Sequence, residues 1–216
     1  HALFMRLAEK ADVIIENFRK DVKHRLKVDY ESVKAVNPSI IYASISGFGQ
    51  DGPYSERPGV DQITQGTSGL MSITGEPGRG PMRVGVAISD TSAGMFLGQG
   101  ILLALLHREA TGEGQWVHTS LLEAMLCKID FQGARYTMSG DVPGQQGNNH
   151  PTASPMGVFD SADGKINLAA SSDRMFFSFC EKMGATHLAE DERFSSAGQR
   201  AKHRDELWAL VNEVTS

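Results

Sequence analysis

Cysteine is scarce in this chain. Cys127 and Cys180 are the only two thiols in 216 residues, and they stand far apart in no metal-like spacing. They are expected to be buried and reduced, as in a cytosolic protein. The seven histidines (His1, His24, His107, His118, His150, His187, His203) also lack ligand spacing, so no metal is expected. Positive charge is not in surplus. A formal net charge of -5 removes the bulk electrostatic case for nucleic acid or an acidic membrane surface. The longest apolar stretch, around Gly94 to Leu106, reads as too short and too glycine-rich to span a bilayer. No secretory signal is read, and a cytoplasmic location without a membrane partner is the expectation. Repeats and low-complexity segments are missing. Gly75 to Pro81 could suggest a phosphate loop, but no Gly-Lys-Ser/Thr follows, so it reads as a turn.

What is present describes an ordinary globular protein: 40% hydrophobic and 22% charged residues, long enough for one or two domains. Short apolar runs at Asp12 to Glu16 and Ser39 to Ser46 read as buried parallel strands. Asp29 is a candidate N-cap for a helix over Tyr30 to Val36, and Asn37-Pro38 stops it. Lys20 to Lys27 reads as a basic helix. Further helices are predicted over Asp61 to Ile73, Thr91 to Ala110 (the longest) and Leu121 to Ser139, with a strand at Trp116 to Thr119. Strands alternating with helices predict an α/β fold with a parallel sheet. After the loop-like Gly140 to Pro155 the pattern changes. Met156 to Phe159 and Lys165 to Ala169 read as a hairpin turned at Asp163-Gly164, followed by helices over Arg174 to Met183 and Arg204 to Val214. The expected division is a large domain over 1–121, a helical linker over 122–146 and a small α+β domain over 147–216.

Asp90 is the first candidate for chemistry. It sits among small residues, Ser89, Ser92, Ala93 and Gly94, at the start of the longest predicted helix. Free backbone N–H groups and the positive end of the helix dipole favour an ionised carboxylate there. From the helix alone an N-cap is the plainer reading, and a nucleophile is the other.

The surrounding motifs decide between them. Ala11-Asp-Val-Ile-Ile-Glu-Asn-Phe18, Asn37 to Pro53 (ending Ser46-Gly-Phe-Gly-Gln-Asp-Gly-Pro53), Arg57-Pro-Gly-Val-Asp61 with Gln65, Ser89-Asp-Thr-Ser-Ala-Gly94 and Thr111-Gly-Glu-Gly-Gln115 follow one another in an order that resembles the family III CoA-transferases. That group also includes the α-methylacyl-CoA racemases. Gly147-Asn-Asn-His-Pro151, Pro155-Met-Gly-Val-Phe159 and Asp163-Gly164 resemble the start of the family's second domain. The resemblance implies a Rossmann-like parallel-sheet CoA-binding domain plus part of a smaller α+β domain. It implies an acyl-CoA and a carboxylic acid as reactants, coenzyme A as co-substrate and an interlocked homodimer. Family members are about twice as long, so the chain is expected to be a fragment lacking both ends.

The resemblance also implies roles for residues. Asp90 matches the family's nucleophile. Asn17, Phe18, Arg19, Arg25 and Leu26 match residues lining the CoA nucleotide, with Arg25 meeting a phosphate and Leu26 near the adenine. The plainer reading of this stretch is a solvated basic helix made by Lys20, Lys23, His24, Arg25 and Lys27. Family members often continue Arg-Pro-Gly after Asn-Phe, where this chain has Arg19-Lys20-Asp21. Pro58, Gly59, Val60 and Asp61 form the remaining CoA-side group. The racemase branch carries a histidine just before the acidic residue. Here that position is Val60, which accepts no proton and so argues for transfer over racemisation. Asp61 could orient the site or cap its helix. Asn148 to Pro155 replaces the glycine-rich loop of the formyl-CoA branch, which argues for other acids; His150 is a possible contact for a substrate carboxylate or an ordinary loop histidine. The rival readings are an acyl-CoA racemase or epimerase and a non-catalytic CoA-binding subunit.

Overall fold

The computed structural model describes residues 1–216. They form two compact units: His1–Thr74 with Arg79–Gly144, and Gly75–Gly78 with Gln145–Ser216.

The first unit runs α1 (Ala2–Ala8), β1 (Val13–Glu16), α2 (Lys20–Leu26), α3 (Tyr30–Lys34), β2 (Ile41–Ser46), α4 (Asp61–Thr67), α5 (Leu70–Ile73), α6 (Ile88–Thr111), β3 (Gln115–Ser120), α7 (Leu121–Lys128) and α8 (Asp130–Ser139). The sheet has the order β1-β2-β3, all parallel. Val13 pairs with Ile41 and Ile41 with Gln115, so the three strands start level and run to the same edge. Parallel neighbours need crossovers. The α2–α3 pair makes the first and α6 lies on the second, which is the α/β arrangement the alternation predicts.

Local signals set several boundaries. Asp29 accepts from the Ser32 N–H at 3.2 Å and starts α3, as read from the sequence. Ser120 accepts from the Glu123 N–H at 3.1 Å and starts α7. Gly112, at φ 76°, closes α6. Gly114 then has to pass the start of β2 so closely that a Cβ would lie 2.2 Å from the Ile40 carbonyl oxygen. Val33, Ile40 and Tyr42 form one core cluster with Ala8. The Tyr42 hydroxyl donates to the Val28 carbonyl at 2.7 Å, and burial raises its pKa so that it stays a neutral donor.

Several expectations change. Asp61 to Ile73 is not one helix, because Gly69 at φ 89° separates α4 from α5. Leu121 to Ser139 is likewise divided, at Asp130, whose φ of 45° no residue pattern announces. α6 begins earlier than predicted and spans 24 residues, long and apolar enough by composition to cross a membrane. The apolar run alone underestimates it, because Ile88 to Asp90 and the polar Arg108 to Thr111 are also helical. In the unit α6 lies along β2 and β3 and packs on α7. Its far end is fastened by Arg108, which donates to the Asp12 and Ser39 carbonyls at 3.2 Å and to the Asp12 carboxylate at 3.0 Å. Residues 121–139, most of them expected in a linker, lie within this unit. Cys127 is exposed, not buried as expected; only Cys180 is buried.

The second unit contains β4 (Met156–Ser161) paired antiparallel with β5 (Gly164–Ala169), then α9 (Asp173–Lys182), α10 (Thr186–Glu190), a short 3-10 turn, α11 (Ala197–Lys202) and α12 (Arg204–Thr215). Phe159, Phe176, Leu188, Phe194, Leu207 and Val211 make its core. Arg200 is fully buried and held by the carbonyls of Ser154, Phe194 and Ser171 and by Asp173 at 2.7 Å. Its guanidinium lies over the Phe176 ring.

Candidate active site

In open parallel sheets, ligands bind beyond the carboxyl ends of the strands. At that edge of the first unit lies a cleft of about 410 Å³. Its lining comes from Asn17 directly after β1, Ile45, Ser46 and Gly47 at the end of β2, and Leu121 directly after β3. Gly59 and Val60, ahead of α4, and Asp90 on α6 complete it. Gly47 and Gly59 meet backbone to backbone, and a Cβ on Gly47 would stand 2.4 Å from the Gly59 Cα. Only glycine at both positions allows that approach. Gly47 is a cleft residue that sequence reasoning passed over; its signal was the Ser-Gly-Phe-Gly turn at the end of a strand.

Asp90 is the third residue of α6, exposed to the cleft, and its carboxylate accepts no hydrogen bond. It is not the N-cap. That position is Ala87, which has no side-chain oxygen to offer. Partial burial and, after it, the negative charge of Asp61 raise the Asp90 pKa above its ordinary value of 3.8. The upward direction is not the one the helix N-terminus alone would give.

The cap of α6 comes from Asp61 instead. One oxygen of its buried carboxylate accepts from the Ser89 N–H at 3.0 Å and the Ser89 hydroxyl at 2.7 Å. The other accepts from Gln65 Nε2 at 2.8 Å and Arg83 at 3.0 Å. Burial pushes the Asp61 carboxyl up, but the bonds from Ser89, Gln65 and Arg83 outweigh it and hold the pKa low. Asp61 therefore does not cap α4, whose N-cap is Val60. It fixes the turn that carries Asp90, and it does not line the cleft.

Four of the sequence-predicted residues (Asn17, Gly59, Val60 and Asp90) meet in the cleft. Phe18, Leu26 and Pro58 are exposed nearby in sequence but outside its lining. Arg19 and Arg25 are exposed, each within reach of Asp21, at 3.6 and 3.8 Å. The solvated-helix reading of α2 fails at one position. Lys23 is 1% exposed, its ammonium 2.9 Å from Glu16 Oε1 and 2.6 Å from Gln50 Oε1. The sequence could not reveal this, because those partners lie seven residues before it and 27 after it. In the second unit, His150 Nδ1 accepts from the N–H groups of Thr152 and Ala153, so a neutral ring carries its proton on Nε2.

The chain spans about half the length of the curated relatives it matches. It is 42% identical over 214 residues to the succinate–glutarate CoA-transferase of Agrobacterium fabrum, covering 99% of this chain and 54% of that protein. It is 38% identical to the acetyl-CoA:oxalate CoA-transferase of Acetobacter aceti, covering 100% of this chain and 56% of that one. Among solved structures, a CAIB/BAIF family protein from Brucella suis superposes with a TM-score of 0.83 at 40% identity, covering 99% of this chain and 57% of the other. The profile described as CoA-transferase family III matches residues 1–216, and the chain belongs to that family.

Proposed function

We propose that the protein transfers CoA from an acyl-CoA to a carboxylic acid, with Asp90 as a covalent nucleophile. The observation that carries this is the placement of Asp90: an unpaired carboxylate open to a cleft at the carboxyl edge of the sheet. Asp90 attacks the thioester carbonyl, the C–S bond breaks, and a mixed anhydride and free CoA thiolate result. The thiolate attacks the aspartyl carbonyl and expels the donor acid as its carboxylate, leaving an aspartyl-CoA thioester. The acceptor carboxylate attacks that thioester, and the thiolate released takes the acyl group from the new anhydride, which frees Asp90. Each step exchanges one activated acyl bond for another, so no nucleotide hydrolysis is needed. Excluding water protects the anhydride.

Asn17, Phe18, Arg19, Arg25 and Leu26 hold CoA in this reading, the Arg25 guanidinium meeting a phosphate. Asp61 acts through Ser89 as a positioning residue. The relatives named for succinate, glutarate and oxalate support a dicarboxylic acid as acceptor. Racemisation is disfavoured because Val60 offers no second base in the cleft.

The test is to incubate the protein with a panel of acyl-CoAs and hydroxylamine and read the Asp90 peptide by mass spectrometry. A hydroxamate on Asp90 is expected, and Asp90→Asn should lower transfer by roughly a thousandfold or more. No adduct with any donor, together with exchange of a substrate α-proton for deuterium, would replace this reading with the racemase.

A further inference from the structure

The mechanism uses neither member of the most deeply buried ion pair, Glu16 and Lys23, although Glu16 adjoins the cleft residue Asn17. Glu16 ends β1 immediately before Asn17. One of its oxygens accepts from the Phe18 N–H at 2.8 Å, which folds the Asn17–Phe18 peptide back over the strand end. The other takes the Lys23 ammonium at 2.9 Å. The same ammonium donates to Gln50 Oε1 at 2.6 Å and lies 3.4 Å from the Ser44 hydroxyl and 5.0 Å from the centre of the Trp116 ring. Gln50 belongs to the loop that leaves β2 through Gly47 and returns through Gly59, both of which line the cleft. A second tie from α2 reaches the same loop, where Lys20 meets Glu56 at 3.1 Å and Ser55 at 3.4 Å. Gln50 is 6% exposed, and its Nε2 has no hydrogen-bond partner. Its amide is buried in the orientation that serves the lysine, at the expense of its own donor.

A buried ion pair is a poor stabiliser, because desolvation offsets the attraction and an apolar pair of similar volume often does as well. Position distinguishes this one: a single ammonium joins the Asn17 loop to the Gly47–Gly59 loop. We propose that Lys23 is a positioning residue for CoA, holding these two cleft loops in the spacing that binds it. The proposal rests on the reading of the cleft as the CoA site.

The test compares the full chain with three variants: Lys23→Met, Glu16→Gln/Lys23→Met and Gln50→Met. The readouts are melting temperature, calorimetric Kd for CoA, and KM and kcat with succinyl-CoA and glutarate. Lys23→Met leaves Glu16 buried without its partner and should lower the melting temperature. The double variant removes both charges and keeps an amide oxygen for the Phe18 N–H, so its melting temperature should return to that of the parent. Its Kd for CoA should nevertheless stay about tenfold higher, with kcat at saturating succinyl-CoA within twofold. Gln50→Met should weaken CoA binding with no loss of stability. Recovery of Kd together with stability in the double variant would make the pair purely structural and overturn the proposal. So would an unaltered Kd in Gln50→Met. Should the parent bind CoA yet transfer it to no acid, the transferase reading fails by itself, and the variants' CoA affinities still decide the role of Lys23.

Discussion

Two carboxylates at the first turn of α6, Asp90 on it and Asp61 bonded to it, are driven in opposite directions by their surroundings. Asp61 holds four donors and titrates low; Asp90 holds none and titrates high, in part because Asp61 stays charged. Replacing Asp61 with Asn removes that charge, so the acid limb of kcat/KM should move to lower pH. A limb that stays put, or moves up, would show that the Asp61 charge is not felt at Asp90. The same substitution has a stability signature. Because the folded pKa of Asp61 is depressed, its contribution is fully present above the unfolded pKa and is lost as pH falls through the folded value. The difference in unfolding free energy between parent and variant should be level above about pH 5 and should shrink below about pH 4. The thiols also part company. Cys127 is exposed, while Cys180 is buried in an apolar core that raises its pKa. A thiol reagent should label one cysteine per native chain quickly and the second only on unfolding; two fast thiols would mean that the second core opens readily.

Elements were more legible than their junctions. The first two strands announce themselves as apolar runs, and Asp29 and the Asp163-Gly164 turn act where the sequence places them, because each works through neighbours a few residues away. What stayed hidden depends on contacts distant in sequence. The burial of Lys23 needs Gln50 and Trp116, and the capping of α6 needs Asp61, 28 residues before Ser89. The break at Asp130 has no glycine or proline to mark it. In the candidate site, Asp90, Val60, Gly59 and Asn17 were readable from family motifs, whereas the pairing of Gly47 with Gly59 appears only in three dimensions. That pairing is a testable junction. Gly47→Ala puts a methyl against the Gly59 backbone and should destabilise by about 1–3 kcal/mol, as overpacking does. It should also raise the KM for acyl-CoA. Unchanged melting temperature and KM would show that the two loops part at no cost.

At the scale of the molecule, each unit has a core of its own, and the proposed covalent chemistry is confined to the first. Truncating Phe176 to Ala in the second core should cost about 3–5 kcal/mol of that unit's stability. By hydrogen exchange, faster amide exchange should be confined to residues 145–216 and 75–78, and spread into the parallel sheet would count against separate cores. One feature of the first unit has a kinetic meaning. α6 is about 36 Å long at the usual rise, and it is fastened at both ends. Asp61 grips its first turn, and Arg108 clasps the start of β1 and the approach to β2 at its last. In the proposed chemistry, a nucleophile riding on such a rod cannot follow its reactants. The cargo would have to do the travelling: in that reading donor acid, thiol and acceptor acid take turns at one stationary carbonyl. Order of arrival would then be imposed by traffic, and the acid that departs would compete with the acid that comes next.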